Sequence, residues 1–386
     1  MKIIISHPTG NQNVRNAIKS FQERNNLYCF ITSLSFTISK KFLIFFPKFI
    51  KEHLNRRSYK NYTKKIITTS VFFEIMRLTI FNFFKIKTAT DKLYKKIDFF
   101  TAKYISQNKE SIDAIYAYED GALESFKEAK KHNIKCIYEL PTAHWSFYEK
   151  NTEPEMKIRK ESELTLADII IVASTWAAKS FIRFPQYKSK IHIVPYGFPE
   201  KVNINRNNWY NGIRPLKVLF AGQFTDRKGI PFLIKALAKI PKNLLELTFL
   251  GRGPYEKELK QRFSNARFIS SAPHEQVLKV MGKNDVLIMP SLADGFGLVI
   301  SESMSQGMAV IATGNTALKD IYNGRNSILI PAKNVNKIYE SILFLIKNPK
   351  KVKAIGLSAL QYSKKNSWVK YRRKLHKLLH SHICKH

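Results

Sequence analysis

Negative charge is what this chain most lacks. Its 386 residues carry 29 Asp plus Glu against 65 Lys plus Arg, a formal charge of +36, and no acidic residue follows Glu340. Such an imbalance attracts polyanions: nucleic acid, anionic lipid or phosphorylated small molecules. Cysteine is scarce as well. Cys29, Cys136 and Cys384 show neither metal-ligand nor redox spacing, which excludes a zinc module or a disulfide framework and fits a reducing compartment. No run of about 18 uncharged apolar residues exists, the least that a spanning helix needs. The most apolar candidate, residues 66–86, is interrupted by Glu74, Arg77 and Lys85. The opening Met1-Lys-Ile-Ile-Ile-Ser-His-Pro has too short an apolar run for a signal peptide and reads as a first β-strand. Glycine and proline, 15 of each beside 44% hydrophobic residues, stand at globular levels and exclude fibrous and disordered classes.

The length suits two domains, each able to bury its own core. From residue 135 onward short β-branched runs alternate with helix-like segments, the pattern of a parallel sheet covered by helices. Strands are predicted at residues 135–140, 168–173, 217–221, 245–250, 285–289 and 308–312, and their continuous apolar character means that both sheet faces are buried. Residues 198–215, with Asn203, Asn205, Asn207, Asn208, Asn211 and Gly212, are polar and aperiodic and read as a linker. The predicted organisation is an N-terminal domain over 1–197, the linker 198–215, a C-terminal domain over 216–364, and a basic helix within 365–386 that either stays with the second domain or packs back on the first. Residues 36–110 are basic and aromatic. Lys40-Lys-Phe-Leu-Ile-Phe-Phe-Pro-Lys-Phe-Ile50 and Phe81-Asn-Phe-Phe-Lys-Ile-Lys87 set bulky apolar groups among lysines, as a surface resting on an anionic bilayer would. The competing reading makes the aromatics core and the lysines a solvated face.

Open parallel sheets bind ligands beyond the carboxyl ends of their strands, where helices that start there offer free N–H groups to phosphate. Three successive strands of the second domain end in suitable loops. The first is Gly222-Gln-Phe-Thr-Asp-Arg-Lys-Gly229, with Lys228 placed to meet a phosphate. The second is the tight turn Gly251-Arg-Gly-Pro254. The third is Pro290-Ser-Leu-Ala-Asp-Gly-Phe-Gly297, followed by a helix carrying Glu302. Asp294 and Glu302, one in the loop and one a turn into the helix, would face a single ligand, and each carboxylate accepts hydrogen bonds from vicinal hydroxyls. A diphosphate-binding lysine with hydroxyl-binding carboxylates describes a nucleotide sugar. Any one of these pieces alone is more often a plain turn or a solvated glutamate. Their order on successive strands carries the weight.

These motifs, with Glu302-Ser-Met-Ser-Gln-Gly307 and Ile191-His-Ile-Val-Pro-Tyr-Gly197, make residues 165–350 resemble the glycosyltransferase family 4 domain. The resemblance implies an α/β fold of GT-B type, two Rossmann-like parallel-sheet domains facing a central cleft. It also implies a retaining transferase of the kind that builds bacterial surface polysaccharide. By it, Glu302 would hold the nucleotide ribose, Lys228 the diphosphate, Asp294 the sugar hydroxyls, and the backbone of Gly295, Phe296, Gly297 and Leu298 the phosphate and sugar. Gly222, Gly251, Arg252 and Gly253 complete the expected donor side. Two residues depart from the pattern. Asp294 stands where Glu is usual, and Gln223 where an arginine usually helps neutralise the diphosphate, a charge that Arg227 could replace.

From the N-terminal domain, Gly10 and Asn11 in the loop before the first helix are expected to approach the diphosphate, with Arg15 adding charge. His144, in Pro141-Thr-Ala-His-Trp145, falls where the family often sets a histidine beside the donor sugar, and is weighed equally as a structural residue. Glu119 is a weaker candidate. The expected catalytic set is thus Asp294, Lys228 and His144. No Asp-x-Asp cluster is present, so neither a metal nor a cofactor is expected beyond the nucleoside diphosphate sugar as donor substrate. The expected acceptor is a lipid-linked or saccharide hydroxyl, and the expected location is cytoplasmic, peripheral on the inner face of the membrane. Three alternatives are a sugar-nucleotide epimerase of the same fold, a catalytically dead membrane scaffold, and a nucleic-acid-binding protein. For the last, no RNA-binding or helix-turn-helix signature is present.

Overall fold

The computed structural model describes residues 1–35, 57–59, 61–77, 89–147, 153–200 and 206–384. The two lysine- and phenylalanine-rich segments at 40–50 and 81–87 lie outside them.

Among the described residues the chain builds two wholly parallel sheets. The first uses β1 (Ile3–Ser6), β2 (Leu27–Thr32), β3 (Ile66–Thr68), β4 (Ala114–Tyr118), β5 (Lys135–Leu140), β6 (Ile169–Val172) and β7 (Ile191–Ile193) in the order β3-β2-β1-β4-β5-β6-β7. The second uses β8 (Leu216–Ala221), β9 (Leu245–Leu250), β10 (Arg267–Ile269), β11 (Val286–Met289), β12 (Ala309–Thr313) and β13 (Ile328–Ile330) in the order β10-β9-β8-β11-β12-β13. Strands such as Ile-Ile-Ile-Val in β6 and Val-Leu-Ile-Met in β11 are buried at every position, because helices cover both faces.

In each sheet the order reverses once, between β1 and β4 and between β8 and β11. Connections leave in opposite directions at such a point and open a crevice at the strands' carboxyl ends. The fold therefore supplies one crevice per sheet, bordered by the loops after β1 and β4 in the first and by those after β8 and β11 in the second.

The apolar interior is continuous across the junction. One cluster runs from Ile3, Ile5 and Tyr116 under the first sheet through Tyr196 and Phe296 to Leu219, Leu287 and Val310 under the second. The chain crosses at Phe198 and returns at Ser367, where the two passages pair as an isolated parallel bridge: Phe198 N donates to Asn366 O at 2.9 Å and Trp368 N to Phe198 O at 3.2 Å. A Cβ on Gly197 would stand 2.3 Å from Trp368 Cα, so only glycine lets the two passages touch. The helix Trp368–Ile383 then packs on the helix Gln12–Gln22, with Arg372 Nη1 donating to Asn16 Oδ1 at 3.0 Å and Ser20 Oγ to Arg372 O at 2.8 Å. Residues 206–215 are not a loose tether. Tyr210 is buried, and Arg206 and Arg214 both pair with the buried Asp285. Among the described residues no helix is long and apolar enough to cross a membrane.

Candidate active site

A cleft of about 930 Å³ lies between the two crevices, within the size range of small-molecule sites. Its second-domain side is assembled from loops that glycines hold backbone to backbone. Gly251 has φ 145°, and a Cβ there would sit 1.9 Å from Gly222 O. Gly229 has φ 75°, and a Cβ there would sit 2.0 Å from Pro290 O. The loop after β8 is thereby pressed on the loops after β9 and β11, and Lys228 reaches Asp294 to form a short ion pair. Asp294 itself is fixed through its amide, which donates to Asn315 O at 3.0 Å.

The helix Leu298–Ser305 begins at Gly297, φ 78°, and among the described residues no side chain caps its first N–H groups. Leu298 and Val299 line the cleft, so the positive end of this helix faces the space where an anion is stabilised. One turn in, Glu302 Oε1 lies 2.8 Å from His274 Nε2. That hydrogen bond raises the His274 pKa above its ordinary value against the opposing effect of burial. Gly222, Lys228, Asp294, Phe296, Gly297, Leu298 and Glu302 thus meet at one cleft, opposite Gly10 and Asn11.

Other candidates lie elsewhere. Gln223 is exposed and outside the lining. Arg252 hydrogen-bonds Ser270 at 3.2 Å, and neither it nor Gly251 and Gly253 reaches the cleft; these glycines serve the contact between loops. Arg227 donates to Ala293 O at 3.2 Å and braces the Asp294 loop from behind. Gly295 packs on the first domain, where a Cβ would meet Pro141 O at 2.1 Å. Glu119 is held by Lys160 at 2.8 Å and by Thr142 at 3.1 Å. His144 is fully buried. Its ring packs on Phe184 and Phe181, with Nδ1 hydrogen-bonded to Ser146 and Nε2 3.1 Å from Glu161. It does not reach the cleft, because apolar rings close over it.

The first-domain side contains residues that carry no motif. Gly10 N donates to Tyr59 Oη at 2.8 Å, and a Cβ on Gly10 would sit 2.3 Å from the Tyr59 ring. Arg15 stacks over Tyr59 and Tyr62 and donates to Gly10 O at 2.9 Å. Arg57 and Arg77 line the same wall and share the fully buried Glu74. Below them Glu139, also buried, accepts from Asn13 Nδ2 at 2.8 Å and from the hydroxyls of Tyr116 and Tyr196 at 2.5 Å each. Burial raises its pKa and these donors oppose the rise. Sequence spacing offers no signal for Arg57 or Glu139, whose partners lie on other elements, and it gives the Glu74–Arg77 pair, three residues apart on one helix, no place at a site.

Residues 215–348 match the family model described as "Glycosyl transferases group 1". An uncharacterised glycosyltransferase of Methanocaldococcus jannaschii is 30% identical over 189 residues, which are 47% of this chain and 51% of that protein. In eight such relatives the matched part runs from 31% to 63% of the relative's own length. Among solved structures, HepE of Anabaena in complex with UDP superposes with a TM-score of 0.66 at 18% identity, over 99% of this chain and 100% of that one. The sucrose-phosphate synthase of Thermosynechococcus elongatus superposes with a TM-score of 0.68 at 17% identity, over 100% and 99% of the two chains. These likenesses, with the two parallel-sheet domains, show a GT-B fold.

Proposed function

We propose that the protein transfers a glycosyl group from a nucleoside diphosphate sugar to an acceptor hydroxyl with retention at the anomeric carbon. The observation that carries this reading is the Lys228–Asp294 pair beside the uncapped start of the helix Leu298–Ser305, with Glu302 one turn further on. In it, the donor diphosphate lies against the Leu298 and Val299 amides and Lys228, the ribose diol against Glu302, and the sugar hydroxyls against Asp294. As the anomeric C–O bond breaks, charge grows on the leaving diphosphate. Lys228 and the helix start are already oriented to stabilise it, and the ring carbon becomes oxocarbenium-like while the acceptor oxygen enters from the first-domain side and its proton passes to the departing diphosphate. A role in surface-polysaccharide synthesis at an anionic membrane, with a lipid-linked or saccharide acceptor, belongs to the same proposal and is supported by the charge of +36. A thermal-shift panel of UDP-, GDP-, ADP- and CMP-sugars tests the reading: at least one nucleoside diphosphate sugar stabilises the protein, and the Lys228→Ala variant loses that gain. A protein stabilised by none of them overturns it.

A further inference from the structure

We propose that Ser174 of the first domain is a positioning residue for Asp294 of the second, so that the sugar end of the donor site is complete only where the two domains touch. The proposal rests on the transferase reading above and gives it a residue that does not itself line the cleft.

Ser174 follows β6 and is fully buried. Its oxygen accepts from Ala177 N at 3.1 Å, which caps the short helix Thr175–Lys179, and its hydroxyl donates to Gly295 O at 2.5 Å. A serine hydroxyl has one proton to give, and here it crosses to the residue that follows Asp294. The loop after β5 presses on the same peptide, since a Cβ on Gly295 would stand 2.1 Å from Pro141 O and 2.6 Å from Thr142 O. The next residue, Phe296, packs its ring against Tyr196 with centroids 5.3 Å apart. Beside Ser174 the junction continues to the surface: Thr175 N donates to Oδ2 of the exposed Asp320 at 2.7 Å, and the Thr175 hydroxyl bonds Asp320 Oδ1.

The second domain holds the rest of the Asp294 loop by itself. Thr313 Oγ1 donates to Ser291 O at 2.6 Å, Asn315 Nδ2 to Leu292 O at 2.8 Å, Asp294 N to Asn315 O at 3.0 Å and Ala317 N to Phe296 O at 3.1 Å. The Gly295 carbonyl, in the middle of these anchors, goes to Ser174 instead. Glycine has the freest backbone of any residue, so a loop released at this bond turns most readily at 295, next to the carboxylate that is to meet the sugar. The Lys228–Asp294 ion pair restrains the same carboxylate, but a donor diphosphate competes for Lys228, and the direction of Asp294 then rests on its backbone. The groups assigned to the nucleotide are fixed within the second domain: Lys228 by the press of Gly229 on Pro290 O, and Glu302 by its hydrogen bond to His274. Loss of Ser174 should therefore be felt by the sugar and not by the nucleotide.

The test is calorimetric titration of the full chain with the nucleoside diphosphate sugar that stabilises the wild type in the panel above, and with the matching nucleoside diphosphate alone. Ser174→Ala weakens binding of the sugar-bearing ligand about tenfold, the order of a lost hydrogen bond, while the affinity for the nucleoside diphosphate changes less than about twofold. Ser174→Thr, which keeps the hydroxyl, restores part of the loss. Losing the helix cap alone would lower the unfolding midpoint and leave the ratio of the two affinities as it is. A wild-type ratio in Ser174→Ala therefore overturns the proposal, and so does an equal weakening of both ligands. If Ser174→Ala gives no cooperative unfolding transition, Asp320→Ala decides, because it cuts the same junction at its exposed end. It is expected to shift the ratio about threefold against the sugar-bearing ligand, and an unchanged ratio there overturns the proposal. These outcomes leave the transferase reading standing; a wild type that binds neither ligand defeats that reading and this proposal with it.

Discussion

Lys228 and Asp294 form an ion pair across the loops that follow β8 and β11, the two strands between which the second sheet reverses its order. Both side chains are mostly buried, so each charge depends on the other until a ligand enters. A donor diphosphate would compete for Lys228 and free Asp294 for hydroxyl groups, so one event prepares both halves of the donor site.

Removing that cation should therefore act on the transition state more than on folding. Lys228→Ala is expected to lower turnover about 100-fold or more, the scale of losing one oriented charge-stabilising donor, while its unfolding midpoint stays within a few degrees of the wild type. Initial-rate measurement of sugar transfer checks this, and a variant with unchanged turnover contradicts the assigned role.

Glu302 should behave differently, because a group bonded to ribose acts equally on bound donor and transition state. Glu302→Ala is expected to weaken nucleoside diphosphate binding by roughly 10- to 100-fold, as for a lost hydrogen bond to a charged group, and to raise KM with little change in kcat. Calorimetric titration of the nucleoside diphosphate is the measurement.

The second domain was legible because its signals are local. Strands such as Val286–Met289 are continuous apolar runs, and the glycines, Lys228 and Asp294 sit at fixed places after them. The arginine wall is not local. Arg57 and Arg77 become one feature only through Glu74, 17 and 3 residues away, and only once the helix Val71–Met76 stands beside the cleft. His144, which the family resemblance sets beside the donor sugar and which reads equally well as a structural residue, packs on Phe181 and Phe184 from a different segment, a contact that leaves no trace in sequence spacing. The contact between Arg372 and Asn16 spans 356 residues and has no periodic trace at all.

The glycines that join the loops set a stability prediction. At Gly251 a side chain would have to occupy a backbone conformation strained by roughly 1–3 kcal/mol and would also collide with Gly222 O. Gly251→Ala should lower the unfolding free energy by at least that amount and displace the Lys228 loop. Gly324, φ 82° with nothing within 4 Å, should tolerate alanine with only the backbone cost. Urea unfolding of the two variants side by side measures the difference.

His274 gives a pH dependence. Its hydrogen bond to Glu302 raises its pKa in the folded state, so the folded protein holds that proton more tightly than the unfolded chain does. The stabilisation is full below the unfolded value of about 6.5 and fades as pH rises through the raised folded value. The pair is partly exposed, so it contributes only about 0.2–1 kcal/mol. His274→Ala should consequently lower the melting temperature at pH 6 by about 1–3 °C and leave it nearly unchanged at pH 9. An equal loss at both values would mean that packing, not the proton, is what His274 contributes.

Asp285 offers the largest expected loss of stability. It is buried at the start of the segment leading into β11, where its carboxylate accepts from Arg214 at 2.6 and 2.9 Å, from Arg206 at 3.2 Å and from Lys217 N at 3.0 Å. Burial lowers the pKa of Arg206 while Asp285 opposes that shift, and Asp285 is the carboxylate that faces this buried guanidinium. Asp285→Ala strands that buried charge, and breaking a buried pair from one side costs roughly 3–5 kcal/mol. Asp285→Asn keeps one acceptor oxygen and should lose less. Because Arg206 and Arg214 belong to the segment that connects the two sheets, the alanine variant should also loosen the connection. Limited proteolysis is then expected to cut between residues 206 and 215 in Asp285→Ala and not in the wild type, and equal resistance of both proteins would show that the segment is held by Tyr210 and its apolar neighbours instead.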